Sequence, residues 1–69
     1  MSDIDQLIKM ANQIAENFSY HDDQVARTAD HIRRFWAPQM RTRLAEHVEG
    51  GGAGLTEAAE AALGQVVAP

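Results

Sequence analysis

Apolar residues recur at Ile4, Leu7, Ile8, Ala11, Ile14, Ala15 and Phe18. That is the i, i+3, i+4, i+7 rhythm of one helix face, so residues 3–19 are predicted to form an amphipathic helix. Lys9, Asn12, Gln13 and Glu16 fall mainly off the stripe, and Met10 lies beside it and widens it. Ser2 is placed to cap the helix, and Asp5 three residues later can close a capping box. Asp3 and Asp5 also suit the positive end of the helix dipole.

The polar run Ser19-Tyr20-His21-Asp22-Asp23 interrupts this rhythm. A second helix is predicted from Gln24, with Asp22 or Asp23 as its cap. Val25, Ala29, Ile32 and Trp36 form its stripe, flanked by Ala26, Arg33 and Phe35. Arg27, Asp30 and Arg34 lie elsewhere, and Asp30 and Arg34 are spaced for a weak ion pair. Ala37-Pro38 breaks the helix, because proline disfavours helical backbone in the residue before it and has no N–H to donate. Proline is equally suited to the first position of a third helix, in which Met40, Leu44, His47 and Val48 give a weak apolar side. One helix running kinked through Pro38 is the alternative.

Gly50-Gly51-Gly52-Ala53-Gly54 reads as a joint that stops the third helix. No strand precedes it and no Lys-Ser/Thr pair follows it, so it is not a phosphate-binding loop. Order is predicted to restart with Thr56 as cap and Glu57 and Glu60 in a first turn. The Ala-rich segment from Ala58 to Val67, with Leu63, Val66 and Val67 as its larger apolar residues, needs a surface to lie on. The expected architecture is all-α: a bundle of three short helices within residues 1–49, a Gly-rich joint at 50–54, and a C-terminal helix within 55–69 packing on the bundle or on a partner.

Composition narrows the chemistry. A chain of 69 residues is at most one domain with a modest core. With no Cys, disulfides and thiolate metal sites are excluded, and His21, His31 and His47 are too far apart for a metal-ligand spacing. Neither a nucleophile with its base nor a clustered acid pair is recognisable, and Asp30 and His31, as helix neighbours, point about 100° apart. No apolar run approaches membrane-spanning length. The acidic start lacks the basic and apolar regions of a signal peptide, so a cytoplasmic location is expected.

Charge is unevenly distributed. From Arg27 to Arg43 there are five Arg and one Asp, a balance of +4; the remainder sets Lys9 against nine carboxylates, a balance of −8. Within the basic segment, His31-Ile32-Arg33-Arg34-Phe35-Trp36-Ala37-Pro38-Gln39-Met40-Arg41-Thr42-Arg43 mixes guanidinium groups with the single Trp, a Phe and a Met. Arg beside Trp is the composition of a protein–protein hot spot. Adjacent helix residues cannot both face inward, so Trp36 is assigned to the core and Phe35 to the rim. The candidate contact residues are Arg33, Arg34, Phe35, Pro38, Met40 and Arg41, with Asn12 and Gln13 as polar contacts on the first helix. The competing reading is a free-standing regulatory or nucleic-acid-binding helical protein using Arg27 to Arg43. Against it, Arg41 and Arg43 face different ways and the acidic remainder repels a polyanion.

Leu7-Ile8-Lys9-Met10-Ala11-Asn12-Gln13-Ile14-Ala15 with Phe18 resembles the opening signature of the delta subunit of soluble NAD-dependent formate dehydrogenase. His31-Ile32-Arg33-Arg34-Phe35-Trp36 with Pro38 and Met40-Arg41 is similar to that family's second signature, and Gly52-Ala53-Gly54-Leu55 before an Ala-rich helix to its end. Ala37 stands where the family pattern usually has an acidic residue, Gln39 where it has a basic one, and Asn17 where it has an apolar or aromatic one. An Asp at position 37 would cap the third helix; Ala37 cannot, which weakens that start by about 1 kcal/mol.

The resemblance implies an accessory role within an enzyme complex. In that family a large alpha subunit carries molybdenum (or tungsten) bis-pterin guanine dinucleotide and iron–sulfur clusters and oxidises formate to carbon dioxide. Beta and gamma subunits pass the electrons through FMN and further clusters to NAD. The delta subunit is implied to bind no cofactor, to have no catalytic residues of its own and to dock on alpha, supporting assembly or stability, with cofactor insertion as a further role. Neither nucleic acid nor membrane is implied as a partner.

Overall fold

A computed structural model describes residues 3–67. It contains four helices: α1 (Asp3–Asn17), α2 (Gln24–Phe35), α3 (Pro38–Glu49) and α4 (Glu57–Val67). The all-α expectation holds, and Ser2, the expected cap of α1, lies outside the described residues. The first helix ends two residues before the predicted boundary at 19. Its last turn tightens, with Phe18 N–H bonding the Ala15 carbonyl and Ser19 N–H that of Glu16. Gln24 Nε2 then donates a second hydrogen bond to the Ala15 carbonyl at 2.8 Å, tying the start of α2 to the end of α1.

Asp23 precedes α2 as expected, but its side chain makes no capping bond. The carboxylate instead accepts from Arg27 Nε at 2.7 Å. That hydrogen bond holds the Asp23 carboxyl below its ordinary range. The small stabilisation from so exposed a pair is present above the ordinary carboxylate pKa and fades as pH falls through the lowered one.

α2 stops at the predicted place. Trp36 (φ −87°, ψ 141°) and Ala37 (φ −65°, ψ 149°) are both extended, so the kinked continuous helix is excluded. Pro38 opens α3, and Ala37 offers no side-chain cap. At the far end of α3, Gly52 N–H bonds the His47 carbonyl and Gly51 N–H that of Val48. This is a Schellman closure, and Gly51 at φ 123° fills the position that an L side chain rarely adopts. Thr56 caps α4 as expected, its Oγ1 accepting from Ala59 N–H at 3.2 Å.

The core joins all four helices through Leu7, Ala11, Ala15, Ile32, Trp36, Leu44, Ala59 and Leu63. Ile4, Ile8, Met10, Ile14, Met40 and Val48 pack around it. α1 and α4 each touch every other helix, whereas α2 and α3 diverge from Pro38 and touch each other least. The α2–α4 interface is the most extensive. Ala29 on α2 and Ala59 and Ala62 on α4 are fully buried, and side chains this small let helices approach closely. Val66 is half-buried, while Val67, expected among the larger apolar contacts, is 56% exposed.

Asn12 ties α1 to the glycine segment. Its Nδ2 donates to the Gly54 carbonyl and its Oδ1 accepts from Thr56 N–H, both at 2.9 Å. A second tie joins His47 Nε2 to the Ala53 carbonyl at 2.7 Å. Gly54 at φ 87° lies over Ile8, 3.4 Å from where a Cβ would stand.

Two stability changes follow, each measurable by urea denaturation read through helical circular dichroism. Leu44→Ala empties a fully buried site and lowers stability by about 2–5 kcal/mol. Ala37→Asp supplies the missing α3 cap and raises stability by about 1 kcal/mol.

Candidate docking surface at the α2–α3 corner

The candidate contact residues meet at the corner around Pro38, but their side chains divide by role. Trp36 turns into the core and is 6% exposed, whereas Phe35 points outward and is 71% exposed. Trp36 lies four residues after buried Ile32 and continues the buried stripe of α2, whereas Phe35 falls beside that stripe. Pro38 is exposed and Met40 half-buried. Half-buried His31 sits between two aromatic rings, its centroid 4.7 Å from Phe35 and 6.3 Å from Phe18.

The basic side chains are mostly engaged within the chain. Arg33 Nη2 donates to the Gln65 carbonyl in the last turn of α4. Arg41 Nη1 donates to the Arg33 carbonyl at 3.2 Å, in the last turn of α2. Each guanidinium therefore rests on carbonyls at the negative end of a neighbouring helix. Arg34 pairs with Asp30 at 3.1 Å, as the spacing suggested. Arg43 has no hydrogen-bond or ion-pair partner among the described residues.

The two polar residues placed on α1 also separate. Asn12 is half-buried and its amide is engaged by Gly54 and Thr56, so it does not stand on an open face. Sequence spacing put it off the apolar stripe, yet the glycine segment folds back over that flank. Gln13 is exposed, its Nε2 bonding Asn17 Oδ1 at 3.3 Å.

Beside Phe35 lies an open groove of about 470 Å³. Gln6, Lys9, Met10, Gln13 and Ile14 of α1 line it, with His31 and Phe35 of α2, Trp36 and Met40. A second groove of about 760 Å³ shares Gln6, Met10 and Met40 with it and runs on past Gln39, Thr42, Arg43 and Glu46 of α3. The spacing along α1 put Ile14 on the apolar stripe, Met10 beside it and Lys9 off it, but did not disclose this trough. Met10 beside the inner stripe was the available signal, since it made the apolar face of α1 wider than one core contact needs.

Among the described residues no group of three or more His, Asp or Glu is placed to hold a metal ion, and no helix is long and apolar enough to cross a membrane. No curated protein and no solved structure matches the chain. A family profile described as "NADH-dependant formate dehydrogenase delta subunit FdsD" matches residues 6–63. That match runs from Gln6 in α1 to Leu63 in α4, including the corner, the glycine segment and all eight candidate contact residues. The chain belongs to the delta-subunit family of NADH-dependent formate dehydrogenase.

Proposed function

We propose that this subunit is non-catalytic and docks on the large catalytic subunit of the complex through the α2–α3 corner, supporting its assembly or stability. Phe35 carries the reading: a large aromatic residue stands 71% exposed at the lip of an apolar groove. Exposed aromatics beside apolar clefts are characteristic anchors of protein interfaces. Arg34 and Arg43 at the rim supply polar contacts, while Arg33 and Arg41 hold the corner in shape. Pro38 and Met40 complete the apolar patch, and Gln13 borders it.

In this reading the molybdenum or tungsten pterin, the iron–sulfur clusters, FMN and NAD belong to the alpha, beta and gamma subunits, and cofactor insertion into alpha is a role this chain assists. The sequence has no Cys to ligate an iron–sulfur cluster. The complex works in the cytoplasm. A nucleic-acid role is disfavoured by what the Arg side chains do. Arg27 and Arg34 pair with carboxylates, and one N–H each of Arg33 and Arg41 is taken up by a backbone carbonyl, so these side chains are held within the fold and not extended toward a phosphate backbone.

The test is co-purification of the tagged chain with the other subunits from its native cytoplasm. Phe35→Asp combined with Arg34→Glu is expected to weaken association by about 30-fold or more, the scale of a lost hot spot, with helicity unchanged. Undiminished recovery of the large subunit contradicts the corner as the docking site.

A further inference from the structure

The trough between α1 and the α2–α3 corner carries features that specify what lies in it, given that the corner docks on another subunit. Its floor is Met10, Ile14 and Met40, with Phe35 at one lip. Unbranched Met side chains adapt to whatever apolar residues press on them, which suits a receiving surface. A trough walled by two helices accepts a third helix through anchors at i, i+3 or i+4, and i+7.

Charge adds direction. Lys9 on α1 is the only Lys, Arg, Asp or Glu lining the half beside Phe35. The other half is lined by Arg43 together with Asp3 and Glu46. Neither Lys9 nor Arg43 has a hydrogen-bond or ion-pair partner among the described residues. In a chain of net charge −4, the end beside Phe35 is therefore a local reversal of sign. An unpaired cation at the edge of an apolar groove favours a carboxylate on its occupant.

We propose that this trough receives an amphipathic helix of another subunit of the complex. Its apolar face lies on Met10, Ile14 and Met40, and an Asp or Glu on its flank meets Lys9. The inference rests on the docking reading above, and adds to it the chemistry of the bound segment and its orientation, acidic end toward Phe35.

Lys9 is the single lysine of the sequence, which makes the contact directly readable. The intact complex is treated with a carbodiimide, which joins an amine to a carboxylate with no spacer, then digested and analysed by mass spectrometry. A Lys9 link to an Asp or Glu within an amphipathic helical segment of another subunit is expected. Lys9→Gln should remove the link and weaken association by about 3- to 10-fold at low salt, with the difference shrinking as salt rises. If Phe35→Asp releases the chain while Lys9 forms no link and Lys9→Gln binds like the parent, the acidic helix is ruled out and docking at the corner stands. A Lys9 link to a second copy of this chain also overturns the proposal. If neither Phe35→Asp nor Lys9→Gln alters association, both the docking reading and this inference fail.

Discussion

Pro38 has no N–H to donate, and its ring pushes the residue before it out of the helical region. Ala37 is extended as a result, Trp36 before it is extended too, and the two helices they separate leave the corner in different directions. α1 and α4 pack against both diverging helices, which is why these two touch every other helix. Beside the break, Trp36 completes the buried stripe of α2 while Phe35 lies outside it. It also ends α2 with unpaired carbonyls, one of which Arg41 reaches from the first turn of α3. Core, corner and exposed patch thus meet at one break in the backbone.

Much of this was legible because it follows from local rules. Helical periodicity located α1, the proline and the glycine run marked the two ends of α3, and Thr56 announced the start of α4. The stripe of α2 separated Trp36 from Phe35. What escaped was long-range. Asn12 lies off the apolar stripe, and nothing local reveals that a turn more than forty residues later closes on its amide. Thr28, outside the apolar stripe of α2, is fully buried, its hydroxyl donating to the Gln24 carbonyl at 2.8 Å. Alanine content suggested a helix in need of a surface without indicating that Ala59 and Ala62 are themselves the packing face. The candidate site was legible as a cluster of residues, but the roles within it depend on tertiary partners.

The basic segment shows this most clearly. As a string, it yields a partner for Arg34 alone. In the fold, Arg33 rests on the end of α4 and Arg41 on the end of α2, while Arg34 pairs within its own helix. The charge that marks the segment in the sequence therefore mainly braces the corner. The surface left for a partner is more apolar than the sequence suggests: Phe35, Pro38, Met40 and Met10, edged by Lys9 and Arg43. Membership of the delta-subunit family fits such a surface, since a subunit must present to its complex something its own core does not consume.

Hydroxyl-radical footprinting tests this account most directly, because it reads side-chain exposure in the free chain and in the assembled complex. Met10, Phe35 and Met40 should be oxidised in the free chain and become protected in the complex. Tyr20, 94% exposed in the turn between α1 and α2 and away from the trough, serves as reference and should stay reactive in both. Protection of Tyr20 with unchanged oxidation of Phe35, Met10 and Met40 would show that a different face meets the complex.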